Sequence, residues 1–167
     1  DDGSETVTDI DGNIYETVII GDQVWMAENL KVTHYNNSDE IITGISSGSS
    51  TEGAYVVYDD PYGNLYNWAT IVDGRGICPT DWHIPSDEEW MELADFLGGE
   101  EVAGGKMKEA GTEHWLPPNE GATNESGFTG LPAGWNQGGS DFPYLGSYQA
   151  FFSINEVSDN AAFAWSL

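Results

Sequence analysis

Apolar residues recur at helical spacing most clearly in one stretch. Trp90, Leu93, Ala94 and Leu97 fall on one face, which predicts a helix over residues 86–97 with that face buried. Its start is written locally. Ser86 precedes the run and Glu89 follows three residues later, a capping box in which each satisfies an unpaired N–H of the other's backbone. Asp87, Glu88 and Glu89 place negative charge at the positive end of the helix dipole. Gly98-Gly99 supplies the stop, and Pro85 favours an extended approach to the cap. Elsewhere the pattern alternates over short spans. Tyr15, Thr17 and Ile19 oppose Glu16, Val18 and Ile20, and turn signals at Asp11-Gly12-Asn13 and Gly21-Asp22 make residues 7–24 a β-hairpin or short meander. Residues 54–58 and 151–154 read as short strands. Phe163, Trp165 and Leu167 alternate through a last one over 161–167.

Between these lie less regular pieces. Trp25, Met26 and Leu30 should enter the core from the patch at 24–30. Residues 36–53 read as a polar surface loop with a short strand at Ile41-Ile42. Residues 65–69 look like a buried aromatic segment, a candidate short helix packing on the main one. Residues 102–110 suit a second short helix. Gly104 and Gly105 weaken it by about 1 kcal/mol each relative to Ala, so close packing is the expected reason for them.

At 167 residues, 39% hydrophobic and 13% aromatic, the chain can bury one core, and 21 glycines favour turns over a helical bundle. The expectation is an acidic leader at 1–6, either a mature N-terminus after processing or a boundary, then a single domain over 7–167. No apolar run approaches about 18 residues, so no membrane insertion is expected. The 29 acidic residues against 4 basic ones give a net charge of −25, which repels phosphate and argues against nucleic acid and anionic membranes as direct partners. Two readings of that charge stay open: solubility in a cation-rich medium, and specific Ca²⁺ binding through carboxylates.

Candidate chemistry is sparse. Asp9, Asp11 and Asn13 read as turn residues, because an EF-hand needs a distal Glu and flanking helices. Glu28 and Asn29 read as partners for buried backbone groups, with cation binding the alternative. Asp59 and Asp60 are the weak metal candidates, for calcium if any cation, although no cofactor is required. The only cysteine, Cys78, excludes an internal disulfide and a cysteine-based zinc site. A Cys78–His83 or Cys78–His114 nucleophile pair is disfavoured by acidic surroundings, which raise a thiol pKa. His34, His83 and His114 lack metal-site spacing, and Gly104-Gly105-Lys106 lacks that of a phosphate loop. Asn124-Glu125-Ser126 fits a glycosylation triplet, which matters only in a eukaryotic secretory setting. Left over are loop aromatics and carboxamides suited to stacking on sugars: Trp115, Asn119, Trp135, Asn136, Gln137 and Tyr148, with Tyr144 beside them.

Several runs then resemble one family in order. Thr8-Asp9-Ile10-Asp11-Gly12-Asn13-Ile14-Tyr15 and Ile20-Gly21-Asp22-Gln23-Val24-Trp25-Met26-Ala27-Glu28-Asn29-Leu30 resemble the opening of the Fibrobacter succinogenes major paralogous (FISUMP) domain. Gly63-Asn64-Leu65-Tyr66-Asn67-Trp68, Cys78-Pro79, the run from Trp82 to Trp90 and Thr123-Asn124-Glu125-Ser126-Gly127-Phe128 continue it. The resemblance implies a bacterial cell-surface or secreted protein, lipid-anchored upstream of these residues. It also implies a final strand with a second cysteine beyond Leu167. The expectation is therefore a domain lacking that strand, with an open sheet edge and Cys78 as half of a bridge. Phe152-Ser153-Ile154-Asn155 stands where the family has a Trp-Ser-Ser-Thr-like run. The central stretch is similar to the LPTEAEW segment of formylglycine-generating-enzyme-like domains, which implies a C-type-lectin-like α+β fold of short twisted antiparallel strands. That enzyme's cysteine pair is not here, so its chemistry is not implied. Pro117-Pro118-Asn119 and Trp135-Asn136-Gln137 partly echo the sugar-binding motifs of C-type lectins. The expected function is a non-enzymatic binding module for glycans or cell-surface polymers. The alternative is a structural or assembly subunit of a surface complex or filament, with a surface-protein partner.

Overall fold

In a computed structural model that describes residues 5–44, 51–57, 61–136, 142–158 and 161–167, the described residues form six strands, then three helices, then two strands. The architecture is α+β, with small sheets and short helices. A meander of β1 (Thr6–Thr8), β2 (Ile14–Ile20) and β3 (Gln23–Met26) opens it. Asp9 closes its first turn: the carboxylate accepts from the N–H of Asp11 and of Asn13, both at 2.9 Å, and from the Tyr15 hydroxyl at 2.5 Å. The second turn needs Gly21, at φ 64°. A second sheet joins β4 (Ile42–Thr43), β5 (Ala54–Val57) and β6 (Asn64–Tyr66). Its β4–β5 pair is parallel, so the strands are not all antiparallel as expected. The last sheet is the hairpin of β7 (Ala150–Ser158) and β8 (Ala161–Ser166).

Helix α2 (Asp87–Phe96) carries the predicted capping box in both directions. Ser86 Oγ accepts from Glu89 N–H at 3.2 Å, and Glu89 Oε2 accepts from Ser86 N–H at 2.7 Å. Trp90, Leu93 and Ala94 are buried, as their spacing requires. Burial works against the Glu89 charge, but the bonds from Ser86 and His83 outweigh it and hold the carboxyl below its usual range. That stabilisation is present at neutral pH and lost as the pH falls through the depressed value. Ser86→Ala should cost about 1 kcal/mol. A urea titration that shows no loss would remove the cap from the account of this helix.

The other helices differ from expectation at their bounds. The segment 65–69 is divided between the end of β6 and the start of α1 (Trp68–Ile71), where Asn67 caps the turn by accepting from Thr70 N–H at 3.0 Å. The second predicted helix, α3 (Glu100–Met107), starts two residues early and ends three early, because Gly99 at φ 100° opens it. Gly105 is there for close packing: a Cβ would strike the Gly121 carbonyl oxygen. Gly104 has room for one, so packing does not explain it.

Two apolar clusters result. One gathers Trp25, Trp90, Leu93, Met107 and Phe128 around α2, with Phe151 and Trp165 of the hairpin packed against it. The other holds Val32, Tyr35, Ile41, Tyr55 and Ile77. A cleft of about 690 Å³ lies between them, lined by residues of both. Phe152-Ser153-Ile154-Asn155 ties the hairpin to α2. Ile154 N–H donates to Pro85 O at 2.8 Å, Asn155 Oδ1 accepts from Asp87 N–H at 2.7 Å, and Trp165 Nε1 donates to Asp87 Oδ1 at 2.8 Å.

Candidate functional site

The loop face formed by residues 109–119, 131–136 and 142–149 collects most of the residues expected to bind. Its frame is Gln149, which is buried: the side chain accepts from Ala133 N–H at 2.9 Å and donates to Ala150 O at 3.1 Å. Gly134 N–H donates to Tyr148 O at 2.8 Å, Trp135 N–H to Pro143 O at 3.3 Å and Gly146 N–H to Pro132 O at 2.9 Å. Leu116 N–H donates to Gly146 O at 2.6 Å, joining the two loops.

On this frame three aromatic rings meet edge to face. The Trp135 ring lies 5.8 Å from Tyr144 and 6.5 Å from Tyr148, and the two tyrosines are 6.3 Å apart. Trp135 is 45% exposed and Tyr144 60%, so the trio is a surface platform and not core. Tyr144 is held at φ 66°, a costly conformation for a bulky residue, of the kind that persists where surrounding bonds over-determine it.

Trp115 is not part of that platform. It is 3% exposed, donates from Nε1 to Gly130 O at 2.9 Å and is covered by the Lys108 ammonium 3.8 Å from its ring. Its indole is a buried anchor, which corrects the expectation of an exposed stacking face. Burial also holds the Lys108 pKa below its usual value. Asn119 works mainly on its own loop, donating to Glu109 O at 3.0 Å and to Gly111 O at 2.6 Å. Its Oδ1 and Glu109 Oε2 are buried acceptors without a protein partner. Asn136 is half-buried. Gln137, and the metal candidates Asp59 and Asp60, lie outside the described residues.

The other candidate chemistry disperses. His34, His83 and His114 each meet a separate carboxylate: Asp11 at 2.6 Å, Glu89 at 2.8 Å and Glu109 at 2.8 Å. Among the described residues, no group of three or more His, Cys, Asp or Glu side chains is placed to hold a metal ion. Cys78 is a free thiol whose pKa is pushed up to about 11 by burial, and not by the acidic surroundings expected. Asp11 is held by bonds from two residues. Burial opposes its charge, but it accepts from Thr33 N–H and Thr33 Oγ1 and pairs with His34, which together lower its pKa. Glu28 accepts from Glu16 N–H at 3.0 Å and Asn29 donates to Tyr62 O at 2.9 Å, so both satisfy backbone groups.

Small sheets packed on a capped helix, with an exposed aromatic patch on the loops, define an α+β module. Residues 18–167 match the family model of the Fibrobacter succinogenes major domain, the FISUMP domain, and the chain belongs to that family. No significant match was found among curated proteins or among solved structures.

Proposed function

We propose that the protein is a non-enzymatic binding module, displayed at a bacterial cell surface or secreted, that takes glycan through the Trp135–Tyr144–Tyr148 platform. The observation that carries this is the aromatic trio, with Trp135 and Tyr144 exposed and Tyr148 half-buried, on loops joined by backbone bonds. Aromatic faces offer a sugar's C–H surface an apolar partner without needing a charge, which suits an uncharged polymer near an acidic protein. In this reading the loops sit on a C-type-lectin-like scaffold, the position such folds use for ligands. Calcium is not needed by the platform.

The test is a glycan array probed with wild type and Trp135→Ala. Loss of about 1.4 kcal/mol, a tenfold weaker Kd, is the expected result. An array with no bound glycan, or equal binding by both proteins, would sink the proposal. The second reading, an assembly subunit, is favoured by a specific feature: Leu116 and Leu145 are exposed on the same loops, and a sugar platform has no need of them. Concentration-dependent assembly abolished by Leu116→Ser, with no glycan bound, would select it.

A further inference from the structure

The cleft between the two apolar clusters shares Gln149 with the frame of the loop platform but is lined by none of the platform's three rings. Edge strands of all three sheets reach it. In the first sheet it is lined by Gln23, Val24, Trp25 and Met26, the whole of β3, which pairs only with β2. From the second sheet comes β6, whose far side is met by the Leu30 carbonyl at Asn64 N–H (2.9 Å) while Leu65 and Tyr66 continue into the cleft wall. The third sheet contributes Ala150, Phe151 and Phe152 of β7. On the side away from β8 these lie between the Gly134–Gln149 bridge and the Ile154 N–H bond to Pro85 O. Among the described residues no strand fills the gap between these edges.

The two walls are both apolar. Trp25, Trp90 and Phe128 form one, Leu30, Ile77 and Ile84 the other. A helix or a globular loop would not use the strand edges. An extended segment would, and it would have to be apolar on both faces, as strands buried between two layers are. Strand β3 offers four residues of edge, roughly 13 Å at ~3.3 Å per residue. Trp90 supplies a further feature: it is 3% exposed, lines the cleft, and its Nε1–H has no partner. A buried donor left unpaired is costly, and an incoming carbonyl would satisfy it. The cleft's polar residues include five acids, Glu5, Asp22, Glu28, Asp81 and Glu89.

We infer that this cleft accepts an extended peptide segment of another protein, added as a β-strand between the three sheets, apolar on both faces and bearing Lys or Arg at its end. A second copy of this chain is a poor occupant. Two molecules of net charge −25 repel one another, and the only cations to offset that are Lys31, Arg75, Lys106 and Lys108. Of these, Arg75 is already paired with Asp39 and Asp73.

Cys78 reports occupancy, because it lines the cleft and is the only cysteine. Short linear peptides are selected on the full chain from a display library, synthesised, and tested for protection of Cys78 from alkylation. The expected winners carry a run of β-branched or aromatic residues next to Lys or Arg, and slow alkylation about 100-fold at roughly 100 times their Kd. N-methylation of alternate amides in the winners abolishes binding, because strand addition uses backbone N–H groups. They bind Trp135→Ala as they bind wild type, which separates this site from the sugar platform. The inference is overturned by a selection without enrichment, by winners that leave Cys78 alkylation unchanged, or by N-methylated peptides that bind equally well. A concentration-dependent dimer that protects Cys78 without peptide would instead give the cleft to a second copy.

Discussion

Trp90→Ala lowers the unfolding free energy by about 3–5 kcal/mol, a large share of the roughly 5–15 kcal/mol a domain of this kind holds. The magnitude follows from what the indole touches. Its ring centroid lies 4.7 Å from Trp25, 5.5 Å from Phe151, 6.0 Å from Phe128 and 6.2 Å from Trp165. These four partners come from β3, β7, the 124–129 turn and β8, so one side chain ties α2 to both the first and the last sheet. Aromatic pairs of this geometry add about 0.5–1.5 kcal/mol each beyond area burial. The vacated volume would adjoin a cleft that already separates the two clusters, which limits collapse around it. Urea unfolding checks it: the midpoint should fall with the slope unchanged. Phe96→Ala on the same helix is the control. Phe96 is 64% exposed, and its loss should stay within about 0.5 kcal/mol. A Trp90 variant no worse than the Phe96 variant would mean that the first cluster is not what holds the helix in place.

The features legible in the sequence are those encoded within a few residues of each other. The capping box, the Trp90–Leu93–Ala94 face and the meander around Gly21 each need only local spacing, and each is found where that spacing put it. Trp115 and Trp135 look alike in sequence, each followed by polar, turn-rich chain. They differ because Lys108 and Gly130 reach the first, while the second projects from Gly134 beside Tyr144. Neither neighbour is near in sequence for Trp115, so no pattern along the chain separates a buried indole from an exposed one. The parallel β4–β5 pair and the cleft are of the same kind. Each depends on which strand edges end up side by side, and periodicity says nothing about that. Gly105 was legible as an anomaly, a glycine inside a helix, and its reason was legible only from the distant Gly121 carbonyl.

Gly134→Ala should dismantle the platform while leaving every aromatic residue in place. Gly134 sits at φ 66°, where a residue with a Cβ is strained by about 1–2 kcal/mol. The added Cβ would also lie 2.6 Å from Pro143 O, 2.8 Å from Leu145 N and 3.1 Å from Tyr144 C. All three are backbone atoms of the strand of chain that carries Tyr144, so none can swing aside as a side-chain tip would. Overpacking of that sort costs about 1–3 kcal/mol, and it is relieved by moving residues 143–145 away from Trp135. Two comparisons isolate the terms. Gly74→Ala meets open space at an ordinary backbone angle and should be neutral. Gly121→Ala meets open space at φ 71° and should lose only the conformational part. Thermal unfolding should leave Gly74→Ala nearest wild type, Gly121→Ala lower and Gly134→Ala lowest, at roughly 2–4 °C per kcal/mol for a chain of this length. Glycan binding should fall with Gly134→Ala as it does with Trp135→Ala, and stay intact in the other two. Should Gly134→Ala be destabilised and still bind sugar as wild type does, the approach of the two loops would be a matter of stability alone, and the Trp135–Tyr144 geometry would not be what the ligand reads.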